Sequence, residues 1–140
     1  MDLTPPGESF RADYRPAANA ATASSSSLPS SESFKLLQWN IERGYKLQRI
    51  ITELGNINAD VISLQEVDVG CERTGSLNIG LEIAKALKLN YIFLSEFEEL
   101  RSPLRQPQEQ GGGAHGNAIL TKFDVTDVTI VPHRYVKGAV

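Results

Sequence analysis

Asn40, Glu42 and Glu66 are the residues whose chemistry stands out, because each lies in or closes an apolar run: Leu37-Gln38-Trp39-Asn40-Ile41-Glu42-Arg43-Gly44 and Val61-Ile62-Ser63-Leu64-Gln65-Glu66-Val67-Asp68. An apolar run of about five or six residues has the length of a buried strand. Two carboxylates and an amide brought to one rim repel each other unless something positive sits between them. Their oxygen donors suit a hard cation, and one or two carboxylates completed by water is the usual arrangement for Mg2+. Arg43 is the alternative neutralising group, and Glu42 taken by itself reads as a solvated loop residue.

The elements that must bring these groups together follow from periodicity. From Tyr45 to Leu54 the apolar residues Leu47, Ile50, Ile51 and Leu54 fall at helical spacing, with Gly55 placed to stop the helix. Strand, helix, strand is a parallel crossover, which is right-handed in nearly all cases, so strands at Lys35 to Ile41 and Asp60 to Val67 point the same way. Asn40, Glu42 and Glu66 then gather beyond the carboxyl ends of the strands, where open α/β sheets bind ligands. Gly44 marks the turn into the helix, either for turning alone or to let backbone approach a phosphate. A second helix is expected from Leu77 to Leu87, with Leu77, Leu81, Ala84 and Leu87 or Lys88 on one face, and a third strand from Asn90 to Phe97. This order favours an α/β sheet with parallel crossovers. Further on, Glu98 to Gly113 reads as a mobile rim loop, and Gly116 to Phe123 with Val125 to Val131 as a hairpin. The triple glycine Gly111-Gly112-Gly113 lacks the spacing of either nucleotide-binding glycine motif.

Three stretches carry a resemblance. Gln38-Trp39-Asn40-Ile41-Glu42, Leu64-Gln65-Glu66 and His115-Gly116-Asn117-Ala118-Ile119-Leu120 resemble, in order, motifs of the endonuclease/exonuclease/phosphatase superfamily, the DNase I-like metal-dependent phosphoesterases, with His115 where Tyr is usual. The resemblance implies a four-layer α/β sandwich, of which this chain looks like the N-terminal half, a mixed sheet with helices on one face. It implies Mg2+-dependent (or Mn2+-dependent) hydrolysis of phosphoester bonds. Glu66 and Glu42 would hold the metal, together with Asn40, which also positions phosphate; Asn40, Glu66 and Asn117 would be catalytic. Arg73, in the loop Asp68 to Gly75, faces a substrate phosphate in this reading, or else pairs with Glu72 or Asp68 at the surface. His115 is a substrate contact or a loop histidine with no catalytic task; His133 is a loop histidine with no catalytic task. No stretch matches the family's later Asp-x-Asn and Ser-Asp-His motifs, so the alternative is a truncated, catalytically inactive interaction module. The substrate is nucleic acid or a phosphorylated small molecule or lipid.

Length and composition bound these readings. A chain of 140 residues with 41% hydrophobic content makes about one small domain, and a net charge of −3 argues against a broad basic surface for nucleic acid. The single cysteine, Cys71, closes no internal disulfide, and its simplest role is a packed thiol. Residues 1–33 hold four of the seven prolines (Pro5, Pro6, Pro16, Pro29) and the run Ser24-Ser25-Ser26-Ser27, and read as a disordered tail before a domain spanning 34–140. Neither a signal peptide nor an apolar stretch of about 18 residues is evident, so stable membrane insertion is not expected and the location reads as cytoplasmic or nuclear.

Overall fold

The structure, a computed structural model, describes residues 3–17 and 33–133. Five strands form one sheet in the order β1 (Ser9–Asp13), β4 (Asn90–Glu99), β5 (Gly113–Thr121), β3 (Val61–Val69), β2 (Leu36–Arg43). β2 and β3 are parallel and are joined by helix α1 (Leu47–Ile57), as the helical spacing between the two apolar runs predicts. β5 lies antiparallel between β3 and β4, so those two strands point the same way with β5 filling the gap between them. Helix α2 (Ile79–Leu87) makes that second crossover, and the result is a mixed α/β sheet consistent with part of a DNase I-like fold.

The two faces of the sheet differ. One is sealed: Ile41, Ile62, Leu64, Val67, Tyr91, Phe93, Ala118 and Leu120 pack with Ile50 and Leu54 of α1 and Ile79, Ile83 and Ala84 of α2 in a single core. Alternation along β2 leaves Leu36, Gln38 and Asn40 on the opposite, open face, where they align with Val61, Ser63 and Gln65 of β3.

Several expectations are corrected by competing physics. Gly55 does not stop α1; the helix continues to Ile57 and ends at Asn58, whose φ of 52° is the left-handed cap asparagine tolerates. Burial of Ile50 and Leu54 outweighs the roughly 1 kcal/mol a helical glycine costs. In α2 the buried stripe runs through Ile79, Gly80, Ile83 and Ala84, while Leu77 precedes the helix and is exposed. The N-cap is Asn78, whose Oδ1 accepts from Leu81 N at 3.1 Å and from the Tyr91 hydroxyl at 3.1 Å. No strand forms over Val125 to Val131, because both edges of β5 are already taken by β3 and β4 and a hairpin partner has nowhere to pair.

The stretch read as a disordered tail contains β1, which pairs with β4 from Ser9↔Leu94 to Asp13↔Asn90. Phe10 meets the Tyr91 ring edge-on at 6.1 Å, and Arg15 joins Asp13 and Asp124 at 2.7 Å each. The rest of that reading, residues 18–32, lies outside the described residues. The loop from Glu98 to Gly113 is tied down rather than loose: Glu72 N and Arg73 N donate to Gly111 O and Gln110 O, and Gly112 N donates to Glu99 O at 2.6 Å. Its last glycine, Gly113, opens β5 against the backbone of Val69 to Cys71, a close approach that a Cβ would block.

Candidate active site

The register of the sheet breaks at one level in three adjacent strand pairs. Asn40 pairs with Gln65 and Arg43 with Val67, so Ile41 and Glu42 stand opposite Glu66 alone. Leu64 pairs with Ala118 and Val67 with Gly116, so Gln65 and Glu66 stand opposite Asn117 alone. Ser95 pairs with Gly116 and Phe97 with His115, leaving Glu96 as the extra residue of β4. Each break is a β-bulge, and each bulge carries a glutamate: Glu42, Glu66 and Glu96.

Two of these glutamates hold backbone conformations their side chains disfavour. Glu42 has φ 49° and Glu66 φ 54°, and Arg43 follows at 65°. A left-handed residue other than glycine costs roughly 1–2 kcal/mol, and such strain clusters where a site needs a group aimed off the regular pleat. Neither carboxylate has a hydrogen-bond or ion-pair partner among the described residues, although Glu66 is half-buried. Arg43 does not neutralise them: its Nε is buried with no partner among the described residues. These residues lie inside the strands, which run on to Arg43 and Val69, rather than beyond the strand ends as the crossover suggested.

The amides sit at the same level. Asn40 Oδ1 accepts from Glu42 N at 3.0 Å, which holds the left-handed turn and leaves the Nδ2 donor on the open face. Asn117, opposite Leu94 on one side, donates from Nδ2 to Glu96 Oε1 at 2.7 Å and keeps its own carbonyl available. Glu96 does not stand out in the sequence motifs. Its signal is a break in period: a regular strand puts Phe97 on the face of buried Phe93 and Ser95, yet Phe97 is exposed.

Next to this row lies a region of opposite character. Asp68 is fully buried; its Oδ2 accepts from Arg73 Nε at 2.7 Å and Thr74 Oγ1 at 3.2 Å, and its Oδ1 accepts from Arg73 Nη2 at 2.8 Å and lies 2.8 Å from His115 Nδ1. Burial pushes the Asp68 carboxyl up, but the hydrogen bonds from Arg73 and His115 and the charge of the Arg73 guanidinium outweigh it and hold the group below the usual carboxylate range. The Arg73 side chain is 4% exposed and also reaches Glu99 at 3.4 Å, so it pairs with Asp68, one of the two readings open from sequence, though in the interior and not at the surface. His115 is no loop residue; it is a buried position of β5 with its ring 5.0 Å from that of Phe97. The Cys71 thiol is buried beside this cluster and pushed up to about 12 by burial, which makes it a packed thiol and not a nucleophile. Gly44 has a packing role: its φ is 91° and the Ile79 side chain occupies the space a Cβ would need.

A metal of the hard, oxygen-loving kind fits the donors at the bulge row. Among the described residues no three His, Cys, Asp or Glu side chains gather into a closed cage. Mg2+ does not need one, since it keeps several waters and takes one or two carboxylates plus a substrate phosphate. Glu66 and Glu42 are the residues that would hold it. Beside them an open cavity of about 680 Å3 lies between β2 and α1, lined by Trp39, Asn40, Glu42, Tyr45 and Arg49 among others.

The chain belongs to the Endonuclease/Exonuclease/phosphatase family, whose match runs over residues 37–137 and so takes in all three motif stretches. No curated protein and no solved structure matches the chain. Family membership suggests a phosphoesterase-type hydrolase, and members generally use divalent metals. No helix among the described residues is long and apolar enough to cross a membrane.

Proposed function

We propose that the protein is a Mg2+-dependent hydrolase of phosphodiester bonds, with Mn2+ able to replace Mg2+. The observation that carries this reading is the alignment of three bulges, which sets the unpartnered carboxylates of Glu42 and Glu66 at the level of Asn40 and Asn117. A divalent ion bound there supplies neutralisation of phosphate charge and acidifies its own water. Glu66 and Glu42 are the carboxylates that hold it. Asn40 keeps Glu42 in its turn through Oδ1 and offers Nδ2 to a phosphate oxygen, which makes it a phosphate donor more than a metal ligand. Asn117, oriented by Glu96, offers its carbonyl to the water that attacks phosphorus. In the reaction a bond forms from water oxygen to phosphorus, the ester P–O bond breaks, and the alcohol leaves with a proton. Arg73 serves this site through Asp68 and not by meeting substrate, given where its guanidinium is held.

Hydrolysis of bis(4-nitrophenyl) phosphate by the full chain tests the reading. Mg2+-dependent release of nitrophenol is expected, abolished by chelator and lowered at least about 100-fold by Glu66→Gln, the upper end of what even outer partners of a metal cost. Hydrolysis that survives both treatments, or none at all in the wild type, overturns it. A second reading, an interaction module without catalysis, is favoured by the exposure of Leu36 (65%), Ile119 (45%) and Phe97 (47%) outside the core. It predicts the wild-type zero in the same assay.

A further inference from the structure

The geometry points to a subsite for a hydroxyl-bearing ring, formed by His115 and Phe97 next to the phosphate row, with Asp68 as the positioning residue that makes His115 Nε2 a fixed hydrogen-bond acceptor. This rests on the proposed phosphoester chemistry at the bulge row and names the class of substrate it takes.

The argument begins with the 2.8 Å contact between His115 Nδ1 and Asp68 Oδ1. Asp68 is fully buried and already accepts from Arg73 and Thr74, and an ionised carboxylate can only accept. The hydrogen of a neutral imidazole must therefore sit on Nδ1. Nε2 then carries a lone pair and no hydrogen, and it is an acceptor for a partner's O–H or N–H. It has no partner among the described residues and is not one of their buried orphan atoms, so it stays open to the surroundings.

Position decides what it can meet. β5 carries no extra residue, so His115 and Asn117, two apart, share the open face at a separation of about 7 Å along the strand. A phosphate held at the Asn117 level reaches only roughly 4 Å from phosphorus, through one of its own oxygens and a hydrogen bond. Phosphate oxygens are also acceptors, as Nε2 is. His115 is thus placed for the group esterified to the phosphate and is matched to a donor on it, a hydroxyl. Phe97 lies opposite His115 on β4, is 47% exposed, and stacks at 31° on the imidazole, offering an apolar face to the ring that carries the hydroxyl. A ribose and an inositol share this chemistry.

Two substrate pairs separate the sources: tetrauridylate against its 2′-deoxy counterpart, and the 4-nitrophenyl phosphodiester of myo-inositol against that of cyclohexanol. In Mg2+, kcat/KM is expected to favour the hydroxylated member at least about tenfold in one pair, as for a site that pairs a substrate hydroxyl. His115→Phe, which keeps a ring against Phe97, should bring that ratio close to one. Asp68→Asn should do the same by offering N–H to Nδ1 and moving the ring hydrogen to Nε2. Ratios near one in both pairs for the wild type, or a ratio that survives His115→Phe, overturn the subsite. Imidazole 15N spectra of the wild type need neither a variant nor turnover: they should show the hydrogen on Nδ1, and an Nε2 shift with the hydroxylated member of one pair only. If the protein hydrolyses nothing, the proposed reaction fails while these spectra still decide the subsite; hydrogen on Nε2, or no ligand-dependent shift, removes it.

Discussion

Asp68 lies two residues beyond Glu66 on β3, with Glu42 on neighbouring β2, and the buried acid and the other two are treated in opposite ways. Asp68 is fully buried, with every acceptor direction filled by Arg73, Thr74 and His115. Glu42 and Glu66 have no protein partner among the described residues and sit on left-handed backbone. A buried charge survives only when it is paired and hydrogen-bonded, so the first group is scaffold. A strained, unpartnered carboxylate fits a group held in readiness for something outside the chain, and the second group is the one we propose as the site. The difference teaches that burial alone does not point to the proposed site: the most buried acid is the one whose hydrogen bonds are already satisfied within the chain.

Substitutions should split along the same line. Asp68→Ala leaves Arg73 and His115 without their carboxylate, and the expected loss is about 3–5 kcal/mol, read as a lowered urea midpoint. A loss under about 1 kcal/mol would mean the cluster is not a scaffold. Acid should find the same weakness: the Asp68 pKa is lowered on folding from its ordinary 3.8, so its contribution is complete above that pH and is lost as the pH falls through the folded value. The slope is at most about 1.4 kcal/mol per pH unit for one proton, and Asp68→Asn should flatten it.

The site acids should behave in reverse. Glu66→Asn keeps a residue that tolerates left-handed backbone and removes the charge, so stability should hold or rise by about 0.5–1 kcal/mol in thermal unfolding. A loss of more than about 1 kcal/mol would place Glu66 with the scaffold. Smallest of all, Glu96→Gln retains an acceptor for Asn117 and should change stability by less than about 0.5 kcal/mol.

Much of this was legible in the sequence. The apolar runs around Trp39 and Leu64, the helical spacing of Leu47, Ile50 and Leu54, and the three motif stretches led to the parallel pair, the crossover helix and the family. What stayed hidden depended on registration between strands. A period-two reading assumes unbroken pleats, so it cannot show that Glu42, Glu66 and Glu96 are extra residues at one level, and left-handed glutamates run against local propensity. β1 is not legible because five residues inside a stretch rich in proline, alanine and serine carry too little pattern, and they pair only because β4 supplies an edge. From sequence Asp68 reads as a loop partner for Arg73; the valines on either side, Val67 and Val69, both buried, are the signal that the strand runs through it.

Calorimetric titration of the full chain with Mn2+, wild type beside Glu66→Asn, tests the central claim most directly. The account predicts saturable binding in the wild type and its loss in a variant that unfolds no earlier. Equal binding in both, or loss of binding accompanied by loss of the fold, would contradict it.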